Sequence, residues 1–239
     1  MPDIRFTVPG GTAGGYLAVP SGPGPWPGVV VIHEAFGLND DILAKANEFA
    51  SRGYLALAPD LYDRRSWIRC VRAAFGQLRA GSGPAFGILD AARATLAERP
   101  DCTGKTGVVG FCMGGGFALM CAPRDGFAAA AVNYGEVPKD AERALAGACP
   151  IVASFGGRDL MGTTHPERLQ RALVVLEVPH DVKVYPGSGH RFMTKTTGAG
   201  AALARVTRMS FQPEDAADAW QRILGFFGTY LSGADQIGS

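Results

Sequence analysis

What this chain lacks narrows its chemistry before any motif is read. It has no block of like charge, and its 23 Lys and Arg against 22 Asp and Glu leave a formal net charge of +1. Neither a nucleic-acid footprint nor a funnel for acidic substrates is therefore indicated for the chain as a whole. No apolar run approaches the roughly 20 residues of a membrane span. The amino terminus, Met1-Pro2-Asp3-Ile4-Arg5-Phe6, lacks a basic segment followed by a long apolar stretch. The expectation is a cytoplasmic protein with no membrane partner. Five cysteines, Cys70, Cys102, Cys112, Cys121 and Cys149, are an odd number without short ligand-like spacing, which argues against a disulfide framework and a structural zinc site. The four histidines show no metal-ligand spacing either. No repeat, low-complexity tract or second domain is visible.

What is there suits one α/β domain over residues 1–239, with 47% hydrophobic and 19% charged residues. Residues 4–20 read as two strands around Gly10-Gly11 and Gly14-Gly15, an antiparallel edge hairpin, followed by the proline-rich turn 21–27. Residues 28–33 form an apolar run, after which Asn39-Asp40-Asp41 caps a helix with Ile42, Leu43, Ala46 and Phe49 at helical spacing. A strand over 54–58, an extra helix over 66–79 packed beside or over the site, and a helix from about Pro84 to before Pro100 follow. Further strands are expected at 106–111, 128–133, 151–155 and 182–185, with helices at 140–146 and 166–177. Residues 203–206 read as helix or loop, and 213–231 as an amphipathic terminal helix. Alternating strands and helices imply a mostly parallel central sheet covered on both faces.

The most informative residue is Cys112, in Gly110-Phe111-Cys112-Met113-Gly114-Gly115-Gly116, directly after a strand-like run and before a helix-like one. A side chain at the apex of such a turn is forced into a strained backbone conformation and needs neighbours without side chains, as in the nucleophile elbow of α/β-hydrolases. Two strand exits further on supply Asp159, after 151–155, and His190, after 182–185. The order nucleophile, acid, base is the one that fold uses, and all three belong on loops at the carboxyl ends of strands.

A cysteine attacks as its thiolate, and free thiols titrate at about 8.5, so such a site must favour ionisation. His190 can hold the proton, the helix after Cys112 presents its positive end, and Asp159 can orient the imidazole. An oxyanion needs donors already in place; the backbone amides of Met113 and of Ala35 are the expected pair, with Phe36 the next candidate.

The combination of His33-Glu34-Ala35-Phe36-Gly37-Leu38-Asn39, Ala58-Pro59-Asp60-Leu61-Tyr62, the Cys112 elbow and Gly189-His190-Arg191-Phe192 resembles the dienelactone hydrolase family over nearly the whole length. That resemblance implies a single-domain α/β-hydrolase fold and cofactor-free opening of a lactone ring, dienelactone to maleylacetate, in the degradation of chloroaromatic compounds. It implies Cys112, Asp159 and His190 as the triad, with Glu34 contacting the thiol and helping it ionise when substrate binds. Family members acting on dienelactone hold its carboxylate with two arginines, one of them four residues after the histidine. That position here is Thr194. Arg191 and Lys195 are the nearby substitutes, and Arg69, Arg72 or Arg79 on the extra helix the candidates for the other role.

Plainer readings stand beside these. The other four cysteines read as small hydrophobes. Glu34 also suits a helix cap, His33 a packed and satisfied ring, His165 a surface helix start and His180 a turn. Phe36, Trp67, Tyr134 and Phe192 suit either an apolar pocket or the core. The expected partner is a small ester or lactone, with no nucleic acid, and the expected state a monomer, a dimer being left open. The competing functions are a carboxylesterase, a hydrolase of another lactone or of a thioester, and a catalytically silent ligand sensor on the same fold.

Overall fold

A computed structural model describes residues 3–62, 67–195 and 211–232. Eight strands form one sheet in the order β1-β2-β4-β3-β5-β6-β7-β8. The strands β1 (Ile4–Val8) and β2 (Gly11–Ala18) make the expected antiparallel edge hairpin, and β2 runs antiparallel to β4 (Leu55–Pro59). From β4 onward, β3 (Trp26–Ile32), β5 (Cys102–Phe111), β6 (Phe127–Asn133), β7 (Ile151–Gly156) and β8 (His180–Tyr185) are all parallel. The chain leaves β3 for β4 on one side and returns past β3 to β5 on the other. The carboxyl ends of β3 and β5 thus flank a switch in strand order, where open α/β sheets form their crevice.

The helices divide between the two faces, which is why β3, β4 and β5 are apolar on both sides rather than alternating. Ile42, Ala46 and Phe49 of α1 (Asp40–Ser51) and Ala219, Ile223 and Phe227 of the terminal helix α7 (Pro213–Leu231) bury against Val29, Val31, Val109 and Phe111. The other face takes α2 (Trp67–Ala80), α3 (Pro84–Ala97), α4 (Met113–Cys121), α5 (Ala141–Ala144) and α6 (His165–Val175), with Phe86, Leu89 and Phe117 against Val30, Ile32 and Val108. Asn39 caps α1, its side chain accepting from Ile42 N at 3.1 Å, so Glu34 is not that cap.

Three expectations need correction. The strand expected at 106–111 begins at Cys102, because its first residues pair with Trp26 across an irregularity in register. The helix expected at 140–146 has only the four residues Ala141–Ala144. His180 is the first residue of β8 and not a turn residue; β8 is the edge strand, mostly exposed, so its weak apolar alternation hid its start. Residues 203–206 lie outside the described residues, as does Ser66, the first residue of the expected extra helix. Among the described residues no helix is long and apolar enough to cross a membrane.

Candidate active site

Cys112 occupies the single residue between β5 and α4 with φ 56° and ψ −118°, a conformation that costs a side-chain-bearing residue on the order of 1–3 kcal/mol. The surroundings leave it little alternative. A Cβ on Gly110 would run into the carbonyl of Gly114, and one on Gly114 into the carbonyl of Ile32, so the turn closes only because both lack side chains. Asn133 clasps the bend from β6: its carbonyl accepts from Cys112 N at 3.0 Å and its amide donates to Gly110 O at 3.1 Å. Among the described residues, three of the four non-glycine residues with positive φ, Cys112, Tyr134 and Arg191, belong to this one neighbourhood. Such clustering marks a site whose geometry the fold holds against local preference.

The loops after β7 and β8 meet back to back. Gly157 N donates to Tyr185 O and Arg158 N to Ser188 O, both at 2.8 Å, and Gly156 lies so close to the carbonyl of Gly189 that a Cβ would not fit. Ser188 in turn donates to Asp215 of α7 at 2.5 Å. This lacing brings Asp159 to His190: the imidazole Nδ1 donates to Asp159 Oδ2 at 2.7 Å, while Oδ1 accepts from Met161 N at 2.9 Å. On the other side of the ring, Nε2 lies 3.0 Å from Cys112 Sγ. Residues 112, 159 and 190, far apart in sequence, are therefore in one line of hydrogen bonds.

Their electrostatics follow from that line. Burial by itself would lower the His190 pKa, but its bonds to Asp159 and Cys112 and their charges raise it to about 10, so the ring favours the imidazolium form. Burial likewise works to raise Asp159, and the bond to His190 outweighs it and holds the carboxyl below its ordinary range. The buried thiol of Cys121 is pushed up by desolvation, and Cys149 to about 12. All five cysteines are free thiols, and of these Cys112 is the one facing an imidazole.

The amides of Met113 and Ala35 lie at the carboxyl ends of β5 and β3. Among the described residues neither donates to a backbone carbonyl. Tyr62 ties the two segments together, its hydroxyl donating to Ala35 O at 3.0 Å and lying 3.6 Å from Met113 Sδ. Trp67 at the start of α2 adds a second bond to Ala35 O, from Nε1 at 2.8 Å. His33, fully buried beside Glu34, accepts from Leu61 N at Nε2 and donates from Nδ1 to Glu34 O at 2.7 Å; it is a packed histidine with a satisfied ring. Burial holds it below its ordinary pKa.

Glu34, whose contact with the thiol the resemblance ties to substrate binding, is held here by other partners. Its carboxylate is 2% exposed; Oε2 accepts from Arg191 Nε and Nη2 at 2.8 Å each, and Oε1 accepts from the Thr194 hydroxyl at 2.6 Å. Thr194 also meets the Tyr134 hydroxyl at 3.1 Å, and the Tyr134 ring packs edge-on against His190, centroids 5.2 Å apart. Removing one member of so buried a pair costs about 3–5 kcal/mol, because the other charge is left uncompensated. Arg191, expected as a substrate ligand, is thus engaged by the protein's own carboxylate, with its guanidinium 4.8 Å from the Phe36 ring.

Of the remaining candidates, Lys195 donates its backbone N–H to Asp41 and lays its ammonium 5.4 Å from the Phe211 ring, and Arg72 is exposed on α2. Phe36 and Trp67 are half exposed and stacked, whereas Tyr134 and Phe192 are core. Sequence reasoning missed the buried ion pair of Lys45 with Asp41, which anchors α1 below Phe111. Its only signal was the four-residue spacing of opposite charges on one helix face.

Comparison with known proteins agrees with this architecture. Residues 13–231 match the family described as Dienelactone hydrolase family. A protein of Synechocystis sp., provisionally named a carboxymethylenebutenolidase, is 30% identical, the alignment covering 91% of this chain and 92% of that one. The carboxymethylenebutenolidase of Rhodococcus opacus is 27% identical over 91% of this chain and 86% of its own. A crystal structure from Klebsiella pneumoniae, provisionally named a dienelactone hydrolase, superposes with a TM-score of 0.76 at 25% identity, covering 95% and 98% of the two chains.

Proposed function

Since this chain belongs to the dienelactone hydrolase family and is a hydrolase acting on ester bonds, we propose that it opens a small ester or lactone through a thioester on Cys112. The observation that carries this reading is the His190 ring, 3.0 Å from Cys112 Sγ and 2.7 Å from Asp159 Oδ2.

In the proposed cycle the imidazolium of His190 offers one N–H to the sulfur and one to Asp159, so the negative charge on sulfur and the carboxylate are both paired. The sulfur attacks the substrate carbonyl. Charge moves to the carbonyl oxygen, for which the amides of Met113 and Ala35 are the candidate donors; losing one such donor typically costs about 2.7–4 kcal/mol of activation energy. As the C–O bond breaks, His190 gives its Nε2 proton to the leaving oxygen, which in a lactone stays attached to the acyl chain. Neutral His190 then takes a proton from water, the hydroxide adds to the thioester, and the carboxylic acid leaves as sulfur recovers its charge beside the imidazolium. No cofactor enters any step.

Dienelactone itself is the substrate that the family resemblance suggests. A second reading, an esterase or other lactone or thioester hydrolase that does not use dienelactone, is favoured by Thr194 at the expected arginine position and by the engagement of Arg191 with Glu34. Replacing Cys112 with alanine should abolish turnover of both p-nitrophenyl acetate and dienelactone while the circular dichroism spectrum stays native. Turnover undiminished in that variant would remove the nucleophile assignment.

A further inference from the structure

We infer that the substrate is a neutral ester carrying an aromatic or extended aliphatic group, which lies on an apolar shelf made by Phe36, Trp67 and Ile68, with Leu160 and Met161 at the same end of the sheet. This rests on the ester-hydrolase reading above and narrows it.

The first support is where the exposed apolar surface lies. Among the described residues nine large hydrophobic side chains are exposed, and five of them are Phe36 (55%), Trp67 (50%), Ile68 (62%), Leu160 (81%) and Met161 (62%). These five follow the carboxyl ends of β3, β4 and β7, the same end of the sheet as Cys112 and His190; the other four are scattered over β2's exit, α6 and β8. A concentration of unburied apolar side chains around a reactive centre marks a ligand surface and not chance exposure.

The second support is that the shelf is preordered. Trp67 is held by its hydrogen bond to Ala35 O, and Phe36 stacks on it with ring planes 13° apart and centroids 6.2 Å apart. Ala35 is also the residue whose amide is a candidate oxyanion donor, so the rings are tied to the segment that would receive the carbonyl under attack. Leu160 and Met161 directly follow Asp159, and the Met161 amide is bonded to its carboxylate.

The third support is charge. A substrate carboxylate needs a free cation, and the described cations packed around Glu34 are committed, whereas Arg69 and Arg72 stand exposed farther along α2 and Arg158 exposed before Asp159. Arg191 gives two N–H groups to Glu34, whose other oxygen is bonded to Thr194. Lys45 is buried on Asp41, and Lys195 lies over Phe211. Drawing Arg191 onto a substrate would leave a buried Glu34 charge with Thr194 as its one hydrogen-bond partner among the described residues, so a charged substrate is penalised where a neutral one is not.

The test compares three p-nitrophenyl esters with a common leaving group: the acetate, the hexanoate and the monoester of adipic acid, which matches the hexanoate but ends in a carboxylate. Rates are normalised to hydroxide-catalysed hydrolysis of each. The expected result is kcat/KM about tenfold or more higher for the hexanoate than for the acetate, and about a hundredfold higher for the hexanoate than for the adipate monoester. Trp67→Ala, and separately the fully surface change Ile68→Ser, should reduce the hexanoate-to-acetate ratio, by about tenfold for the tryptophan. A hexanoate-to-adipate ratio near one, a preference for the adipate, or a chain-length ratio untouched in both variants overturns the shelf. In each of those cases, turnover lost in Cys112→Ala would leave the hydrolase reading standing. Absence of turnover on all three esters in the native protein would instead sink that reading, and the shelf with it.

Discussion

Two buried histidines sit at the carboxyl edge of the same sheet and are driven in opposite directions. His33, at the end of β3, has only neutral backbone partners, a carbonyl on one nitrogen and an amide on the other, and burial keeps it uncharged. His190, beyond β8, is 6% exposed but lies between a carboxylate and a sulfur, and those partners reverse the effect of burial and raise it to about 10. Desolvation does not decide a histidine's charge; what its two nitrogens face does. One ring is thereby suited to holding a loop in place and the other to moving protons.

The contrast is most sharply broken by taking away the charged ring. On the proposed chemistry His190→Ala should lower kcat for p-nitrophenyl acetate by about five orders of magnitude, since removing the base of such a unit costs nearly as much as removing all of it. A loss below about a hundredfold would dismiss His190 as the base. Next in size is Asp159→Asn, which keeps the shape of the contact but loses the charge that holds the imidazolium; kcat should fall about 10⁴-fold, read with the rate of Cys112 alkylation as a function of pH.

His33→Leu should behave differently in kind. It strands the Leu61 amide and the Glu34 carbonyl, so urea unfolding should show a loss of about 1–3 kcal/mol for each stranded group, with a far smaller loss in kcat than either change above. The smallest expected effect is on the pH dependence of stability, and its two signs are opposite. His33 is held below its unfolded value of about 6.5, so the native protein binds fewer protons there and stability falls as pH drops below 6.5. His190 is raised to about 10, so its contribution is complete below 6.5 and is lost as pH rises from there through 10. His33→Leu should flatten the acid side of the stability profile and His190→Ala the alkaline side; identical profiles for the two variants would erase the distinction.

Much of this neighbourhood was legible in the sequence because backbone geometry demands it. Gly110 and Gly114 are required by carbonyls packed where a Cβ would stand, which is why the elbow could be read from a run of letters. Asp159 and His190 were legible as polar residues at the exits of apolar strands. The partners of Glu34 were not. Arg191 lies 157 residues away from it in sequence, and whether its guanidinium turns toward a substrate or back onto Glu34 depends on packing that no local pattern encodes. Thr194 stood out as a departure from the family's pattern, while its place between Glu34 and Tyr134 emerged only from the fold. The early start of β5 and the strand position of His180 were hidden for a related reason: an irregular register and an exposed edge both erase the alternation on which strand reading relies.

The lacing of the two loops after β7 and β8 also bears on engineering. Because Gly157 and Arg158 are stitched to Tyr185 and Ser188, and Ser188 is moored to Asp215 on the terminal helix, the proposed acid and base cannot be transplanted separately into another scaffold. A graft would have to carry both loops together with the first turn of α7 as one cassette, and lengthening either loop alone would unpick the seam.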